Sequence, residues 1–331
     1  MARKITINDV AAVAGVSRGA VTRALNDKAD ISQETKKKVL EVSARLGYRP
    51  SRFARNFAAR TKTIAIGYVV ASFRNPYYTD LAADILQEAK RRGWQVVITA
   101  TEGMDEEEAL ELLSDQVDVI VGHSGLELPR LKLAARGLPV VLLERGSRTA
   151  GIHSLELDWR SGIKMAVEAL YERGARHIGM IDSDYSLRAN RGYVPSERRG
   201  YFEEFVRPVS RQAVVWGMET FAGGADTLRA LLADHPETDA VLAFNDVMAI
   251  GAVQGAHALG IDVPGRLKIL GVDGLSLGEA ISPKLSSLAT DRVAISIQAL
   301  DIVEELSKHQ FRELPSIHRR IEPKLVWRES A

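Results

Sequence analysis

From residue 62 onward, short apolar runs alternate with stretches in which apolar positions recur every three or four residues. The strand-like runs are Ile64–Val70, Gln95–Thr99, Val117–Val121, Val140–Leu143, His177–Ile181, Ala213–Trp216, Ala240–Phe244 and Leu267–Val272. Between them TDLAADILQEAKRRG, DEEEALELLSD, WRSGIKMAVEALYERG and GADTLRALLADH carry the helical period. A short continuous apolar run suits a strand covered on both faces. Strands alternating with helices at this spacing predict an α/β chain with parallel sheets and helices on either side. RRG ending at Gly93 and ERG ending at Gly174 each close a helix ahead of a strand. The repetition predicts two doubly wound halves. Ligands of such sheets lie beyond the carboxyl ends of the strands, here in a cleft between the halves.

The first 60 residues follow a different rule. TINDVAAVAG predicts a helix capped by Thr6, with Asp9 in its first turn, Val10, Val13 and Ala14 on one face and Gly15 at its end. After a tight turn, Ser17 caps a second helix running to about Leu25. ISQETKKKVLEVSARLG predicts a third: Ser32 caps it, Glu34 sits in its first turn, Val39, Leu40, Val42 and Leu46 form its stripe, and Gly47 stops it. Two short helices joined through Gly-x-Ser, followed by a packing helix, make a helix-turn-helix. Its second helix enters the major groove with its N-terminal side chains at base edges. Those side chains are Arg18, Ala20, Thr22 and Arg23. Arginine can bond guanine through two N–H groups, and threonine can reach a phosphate or a base. Gly19 costs the helix about 1 kcal/mol relative to alanine. Without a side chain it lets the backbone approach the groove floor. The plain alternative is a three-helix unit that only packs against something.

After GYRP comes SRFARNFAARTKT, with Pro50 suited to a first helical position and Phe53 and Phe57 one turn apart. A helix this short is marginal alone in water. It would fold when two copies pair on DNA, with its apolar face against a partner helix or an opened base step. A solvated linker is the alternative.

Charge sharpens the division. Residues 1–63 hold 14 Lys and Arg against 5 Asp and Glu, a net +9, whereas the whole chain is +1, which leaves −8 for the rest. A basic head on an acidic body favours nucleic acid as the head's partner. There are no cysteines, which excludes disulfides, thiolate metal sites and cysteine nucleophiles. No apolar run approaches the roughly 20 residues that span a bilayer, and MARKITINDV has no apolar core of a secretory signal, so a cytoplasmic protein without membrane contact is expected. The seven histidines, at 123, 153, 177, 235, 257, 309 and 318, show no ligand spacing. Phosphate-loop, H-E-x-x-H and G-x-G-x-x-G motifs are absent, and G-x-S-x-G occurs once, at Gly15 to Gly19, in the turn between two predicted helices rather than after a strand. No catalytic residue, metal or cofactor is therefore predicted. A small-molecule binding protein or an enzyme on the same scaffold is the alternative to a regulator.

TINDVAAVAGVSRGAVTRALN, GYRPSRFAR, NDVMAIGA and ILGVDG together resemble the LacI/GalR family of transcription regulators, in order and over nearly the whole chain. The resemblance implies a repressor that acts as a homodimer on pseudo-palindromic double-stranded operator DNA. Hinge helices would lie in the central minor groove, and a body like that of periplasmic binding proteins would hold a small effector, a sugar or related metabolite. It divides the chain into a DNA-binding domain (1–49), a hinge (50–61) and a body (62–331). The halves of the body would be 62–160 plus 291–320, and 161–290 plus 321–331. The implied DNA contacts are Thr6, Ser17, Arg18, Gly19, Ala20, Thr22, Arg23, Asn26, Arg52, Arg55 and Phe57, the last standing where the family usually has a wedging leucine. Effector would change the angle between the halves and so the spacing of the two hinges. No terminal heptads follow EPKLVWRESA, so a dimer is expected rather than a tetramer.

The implied effector contacts begin with Tyr77 and Tyr78, after Asn75-Pro76. Asn245 and Asp273 follow predicted strands, and an amide or carboxylate offers two bonding atoms to ligand hydroxyls. Asn245-Asp246 also opens a helix, where either residue is an ordinary cap; Asn245 is assigned to the ligand and Asp246 to structure. Three positions depart from the family pattern. Glu144-Arg145 replaces Asp-Arg; Glu197, beside Arg198 and Arg199, stands where the family has arginine; Glu219 replaces an aromatic. Glu144, Arg198 and Glu219 complete the candidate set. With Arg188, Arg191 and Arg199 nearby, either an anionic or highly hydroxylated effector or a solvated loop surface would fit.

Overall fold

The computed structural model describes residues 7–25, 31–46, 63–183 and 193–331. The N-terminal unit is α1 (Ile7–Ala14), α2 (Arg18–Leu25) and α3 (Gln33–Leu46). Gly15 takes φ +62°, the left-handed conformation that ends α1, and Val16 N reaches back to Ala11 O at 3.1 Å. Ser17 Oγ accepts from Ala20 N and Ser32 Oγ from Thr35 N, both at 3.2 Å, so each serine caps its helix. Val10, Ala11, Ala14, Val21, Ala24, Val39 and Val42 form the core. Two expected stripe residues differ: Val13 is 48% exposed and Leu40 44% exposed. Each stands about 100° of helical rotation from the middle of its buried face, so it falls at the rim. Thr6, Asn26, Gly47 and the hinge, with Arg52, Arg55 and Phe57, lie outside the described residues.

The body begins with β1 (Ala65–Val70), α4 (Pro76–Arg91), β2 (Gln95–Ala100), α5 (Glu106–Ser114), β3 (Val119–Gly122), α6 (Leu128–Ala134), β4 (Val140–Glu144) and β5 (Ile152–Leu157). It crosses to a second half: α7 (Trp159–Glu172), β6 (Ile178–Ser183), α8 (Glu197–Phe205), β7 (Val214–Gly217), α9 (Phe221–Asp234), β8 (Ala240–Ala243), α10 (Asp246–Ala258), β9 (Lys268–Asp273) and β10 (Ser286–Ala289). The chain returns through α11 (Arg292–Lys308) to β11 (His318–Ile321) in the first sheet and ends with β12 (Lys324–Val326) in the second.

The sheets run β11-β5-β4-β3-β1-β2 and β12-β10-β9-β8-β6-β7, the same pattern twice. Every pairing is parallel except β10 with β12. The eight predicted runs all overlap strands. Arg92, just past α4, binds Glu88 on its own helix and Asp301 and Glu304 on α11, which fastens the returning helix to the first half. The two matched helix ends are also alike. Gly93 and Gly174 have φ +71° and +89°, and the next residue bonds back five positions, Trp94 N to Ala89 O and Ala175 N to Leu170 O.

Helices α9 and α10 cross closely in the second half. A Cβ on Gly224 would collide with the Met248 carbonyl, and one on Gly251 with the Phe221 carbonyl. Backbone cannot yield as a flexible side-chain tip can, so these two glycines set the approach distance. Gly251→Ala should therefore destabilise the body by about 1–3 kcal/mol. Gly200→Ala, in α8 where a Cβ meets nothing within 4 Å, should be neutral or stabilising by about 0.5–1 kcal/mol. Urea midpoints check both; equal effects would refute close packing as the cause.

Candidate functional site

The carboxyl ends of both sheets face one cavity of about 380 Å³. From the first half come Ala71 after β1, Thr101 after β2, His123 after β3 and Glu144 at the end of β4. From the second come Ser183 at the end of β6, Glu219 after β7 and Phe244 after β8. Arg198, from the first turn of α8, and Trp159, which opens α7, complete the wall. Parallel strands end together, so the topology alone gathers these residues from distant parts of the sequence.

Glu144 is the central acid of the first half. Its backbone is left-handed, φ +65°, a conformation costing a non-glycine residue about 1–3 kcal/mol. Its carboxylate accepts from Tyr77 Oη, and His123 Nε2 lies 3.2 Å from Oε1. Burial alone would push its carboxyl up. His123 and Tyr77 outweigh that and hold it below the usual value. Burial, then the Glu144 charge, raises the Tyr77 and Tyr78 phenols well above the ordinary value, so both remain donors.

Asp273 holds the same place in the second half. It ends β9, which occupies the sheet position of β4, and its φ is +118°. It is buried, and Oδ2 has no hydrogen-bond partner. Burial first and Asp246 second push its carboxyl well up. Asp246 is fully buried in the first turn of α10. Its Oδ2 accepts from Leu275 N at 2.6 Å and its Oδ1 from Ser287 Oγ at 2.7 Å, and burial raises it to about 7.

Of the residues singled out in the sequence, Tyr78, Glu144, Arg198 and Glu219 line the cavity. Tyr77, Asn245 and Asp273 stand behind that wall. Asn245 corrects the sequence assignment: both ends of its amide are engaged within the protein. Oδ1 accepts from Met248 N at 2.9 Å, capping α10, and Nδ2 donates to Glu219 Oε2 at 3.1 Å. It acts on the cavity through Glu219, whose other oxygen accepts from Ser183 Oγ at 2.6 Å. Arg188 and Arg191 lie outside the described residues. Arg199 turns to Glu203 and Tyr193 rather than to the cavity. His123, Trp159 and Phe244 were missed. The first two positions past a strand's end would have found His123 and Phe244, whereas Trp159 carries no such signal.

A second, larger cavity of about 640 Å³ shares Glu144, Arg145 and Trp159 as one wall. Its other acids are engaged internally: Glu156 by Arg320 and His318, Asp158 by Arg320, and Glu197 by Tyr201. The smaller cavity, where strand ends converge, is the better ligand site. Among the described residues no cluster of three or more His, Asp or Glu is arranged for a metal ion, and no helix is long and apolar enough to cross a membrane.

At the other end of the chain, α2 buries Val21 and Ala24 and exposes Arg18, Gly19 and Arg23 on the opposite side, with Ser17 exposed just ahead of it. Ala20 and Thr22 are partly exposed, and Thr22 Oγ1 donates back to Arg18 O at 3.1 Å. A Cβ on Gly19 would touch only the Arg23 guanidinium, at 3.4 Å, and Ser17 Oγ, at 3.8 Å. The helix therefore has room for alanine there.

The buried acids make a pH prediction. Asp246 keeps its proton to about pH 7 when folded, against 3.8 ordinarily. Its contribution to stability is fully present below the lower value and is lost as pH rises through the upper one. The thermal midpoint should fall from about pH 5 to about pH 8, and Asp246→Asn should flatten that fall. An equally steep decline in the variant would count against a protonated Asp246.

Comparison with known proteins agrees with this anatomy. Residues 6–51 match the model for bacterial regulatory proteins of the lacI family, and residues 167–331 match a periplasmic binding protein-like domain. The chain is 32% identical over 335 residues to a ribose operon repressor of Halalkalibacterium halodurans, covering 98% of this chain and 96% of that protein. It is 30% identical over 289 residues to catabolite control protein A of Staphylococcus xylosus, covering 86% and 87%. Among solved structures, a LacI family regulator from Arthrobacter sp. FB24 in complex with lactose superposes with a TM-score of 0.72 at 27% identity, covering 81% of this chain and 99% of that one. The transcriptional regulator CelR with cellobiose superposes at 0.68 and 25%, covering 99% and 100%. The helix-turn-helix, the duplicated parallel sheets and the extent of these matches mean that the chain belongs to the LacI family of bacterial regulatory proteins.

Proposed function

We propose that this protein is a transcriptional repressor whose hold on operator DNA is switched by a small hydroxylated effector bound between the halves of its body. The observation that carries the reading is the convergence of strand ends from both sheets on one cavity that holds carboxylates, an arginine and aromatic rings. Carboxylates and aromatic surfaces suit a sugar-like molecule. The ribose repressor's name and the neighbours' lactose and cellobiose favour the same class. The chemistry is binding rather than catalysis. The protein would work in the cytoplasm as a homodimer on a pseudo-palindromic site, divided into the head, hinge and two-part body expected from sequence.

An effector touching both halves favours one angle between them, by as much as its affinity differs between the angles. That angle sets the spacing of the hinge segments, and with it the fit of two heads to two half-sites. Tyr78, Glu144, Arg198 and Glu219 would touch the effector, while Tyr77, Asn245 and Asp273 would fix the residues that do. Arg18 and Arg23 would read or grip DNA from α2. Thr6, Asn26, Arg52, Arg55 and Phe57 remain part of the proposed interface.

Operator binding measured by fluorescence anisotropy tests both ends. Arg18→Ala should relax preference at one base position per half-site, at about 1–3 kcal/mol. A uniform loss on every sequence would make Arg18 a phosphate contact instead. Gly19→Ala should raise helix stability by up to about 1 kcal/mol; if operator affinity is unchanged, close backbone approach is not the reason for the glycine. Glu144→Gln keeps the shape of the acid but not its charge. It should leave the operator bound while weakening the effector response at least tenfold or so, and an unaltered dose response would move the effector site elsewhere.

A further inference from the structure

We infer that the effector is a polyhydroxylated carboxylic acid, such as a hexuronate or an aldonate, whose carboxylate Arg198 takes edge-on; this rests on reading the cavity as the effector site. The Arg198 guanidinium lies between two rings, 3.8 Å from the centre of Trp159 and 4.4 Å from that of Phe244. Its Nη1 donates to the Phe244 carbonyl at 2.6 Å. Flat aromatic faces are what a neutral sugar ring would stack on, and here the protein's own cation occupies them. Tyr78, the other large ring in the wall, is held edge-to-face by Tyr77 and His123, with ring centres 5.4 and 5.0 Å away.

A guanidinium packed against two aromatic rings offers a ligand chiefly its rim of N–H groups. That rim is a rigid fork whose geometry matches a carboxylate. Arg198 makes no ion pair with the described residues. Glu144 and Asp273 lie close enough to feel its charge, yet neither pairs with it. Glu144 is held by Tyr77 and His123, and Glu219 by Ser183 and Asn245. A partly buried cation with no ion-pair partner among the described residues makes Arg198 a natural seat for a ligand carboxylate. Glu144 and Glu219 keep acceptor positions beyond those their partners use, and these suit hydroxyl donors. They also repel an acid that brings no hydroxyls. One acid group plus several hydroxyls satisfies both demands, and the volume of about 380 Å³ suits a molecule of monosaccharide size.

Matched pairs test this in the full-length protein: glucuronate with glucose, galacturonate with galactose, gluconate with glucitol. Binding is followed by calorimetry and by Trp fluorescence, and operator affinity by anisotropy. At least one acid should bind roughly tenfold or more tightly than its neutral partner, the gain of a charge-assisted fork. Arg198→Gln should erase that preference. Arg198→Lys, which keeps the charge without the fork, should lose most of it; full retention by lysine would overturn edge-on pairing. Equal or tighter binding of a neutral partner, or no binding by any of the acids, overturns the proposal. A neutral sugar that shifts operator affinity would leave the effector reading standing while the acid falls. If no member of any pair shifts it, both fall together.

Discussion

A carboxylate buried between two halves of a protein must find partners or give up its charge. Glu144 is in that position, and much of the body answers to it. Stripping water from an ionised carboxyl costs several kcal/mol unless hydrogen bonds and opposite charge replace the water. Tyr77 and His123 supply the replacement, which is why burial does not raise this acid. Asp273, the matching acid of the other half, leaves Oδ2 without a hydrogen-bond partner, stands beside Asp246, and moves the opposite way. Two acids in the same topological place are thus pushed in opposite directions because their neighbours differ. The cavity between them is polar and electrically uneven, which suits a ligand with more than one kind of polar group.

Duplication explains how such a site arises. Each half has the same strand order, a matched glycine-ended helix and an acid of positive φ closing its fourth strand. The halves meet at their strand ends, so the same construction that builds the cores aims side chains from both at one volume. The chain crosses between the halves after β5, after β10 and after β11. A few such crossings leave relative rotation cheaper than any deformation inside a close-packed half. In the proposed mechanism the head needs only to sense that rotation.

Most of the architecture was legible in sequence because a strand covered on both faces writes itself as an apolar run. The strands that escaped are those whose burial depends on partners. In β5 and β10, the hydroxyls of Ser154, Ser286 and Ser287 are fully buried but satisfied by Ser147, Arg328 and Asp246. A pattern of polar letters cannot announce that. β11, with His318, Arg319 and Arg320, escaped for the same reason: its side chains answer to Ser154, Glu156 and Asp301 across the fold. The site followed the same rule. Strand-end positions pointed to Asn245 and Asp273, and the family pattern to Glu144. The engaged amide of Asn245 and the Trp159–Arg198–Phe244 stack are contacts between distant segments, invisible to spacing. Val13 and Leu40 show the finer limit, since a helical period names a face but not its width.

The central claim is that a ligand in the cavity changes the angle between the halves and that this change controls operator binding. The absence of native cysteine makes paired spin labels clean to place, at Glu108→Cys on α5 and Ala230→Cys on α9, both exposed. Distances between them, measured by pulsed electron resonance across a titration of a ligand that alters operator affinity, should shift by a few ångström at the same ligand concentration that alters DNA binding. Operator affinity that changes while the distance distribution stays fixed would contradict the account.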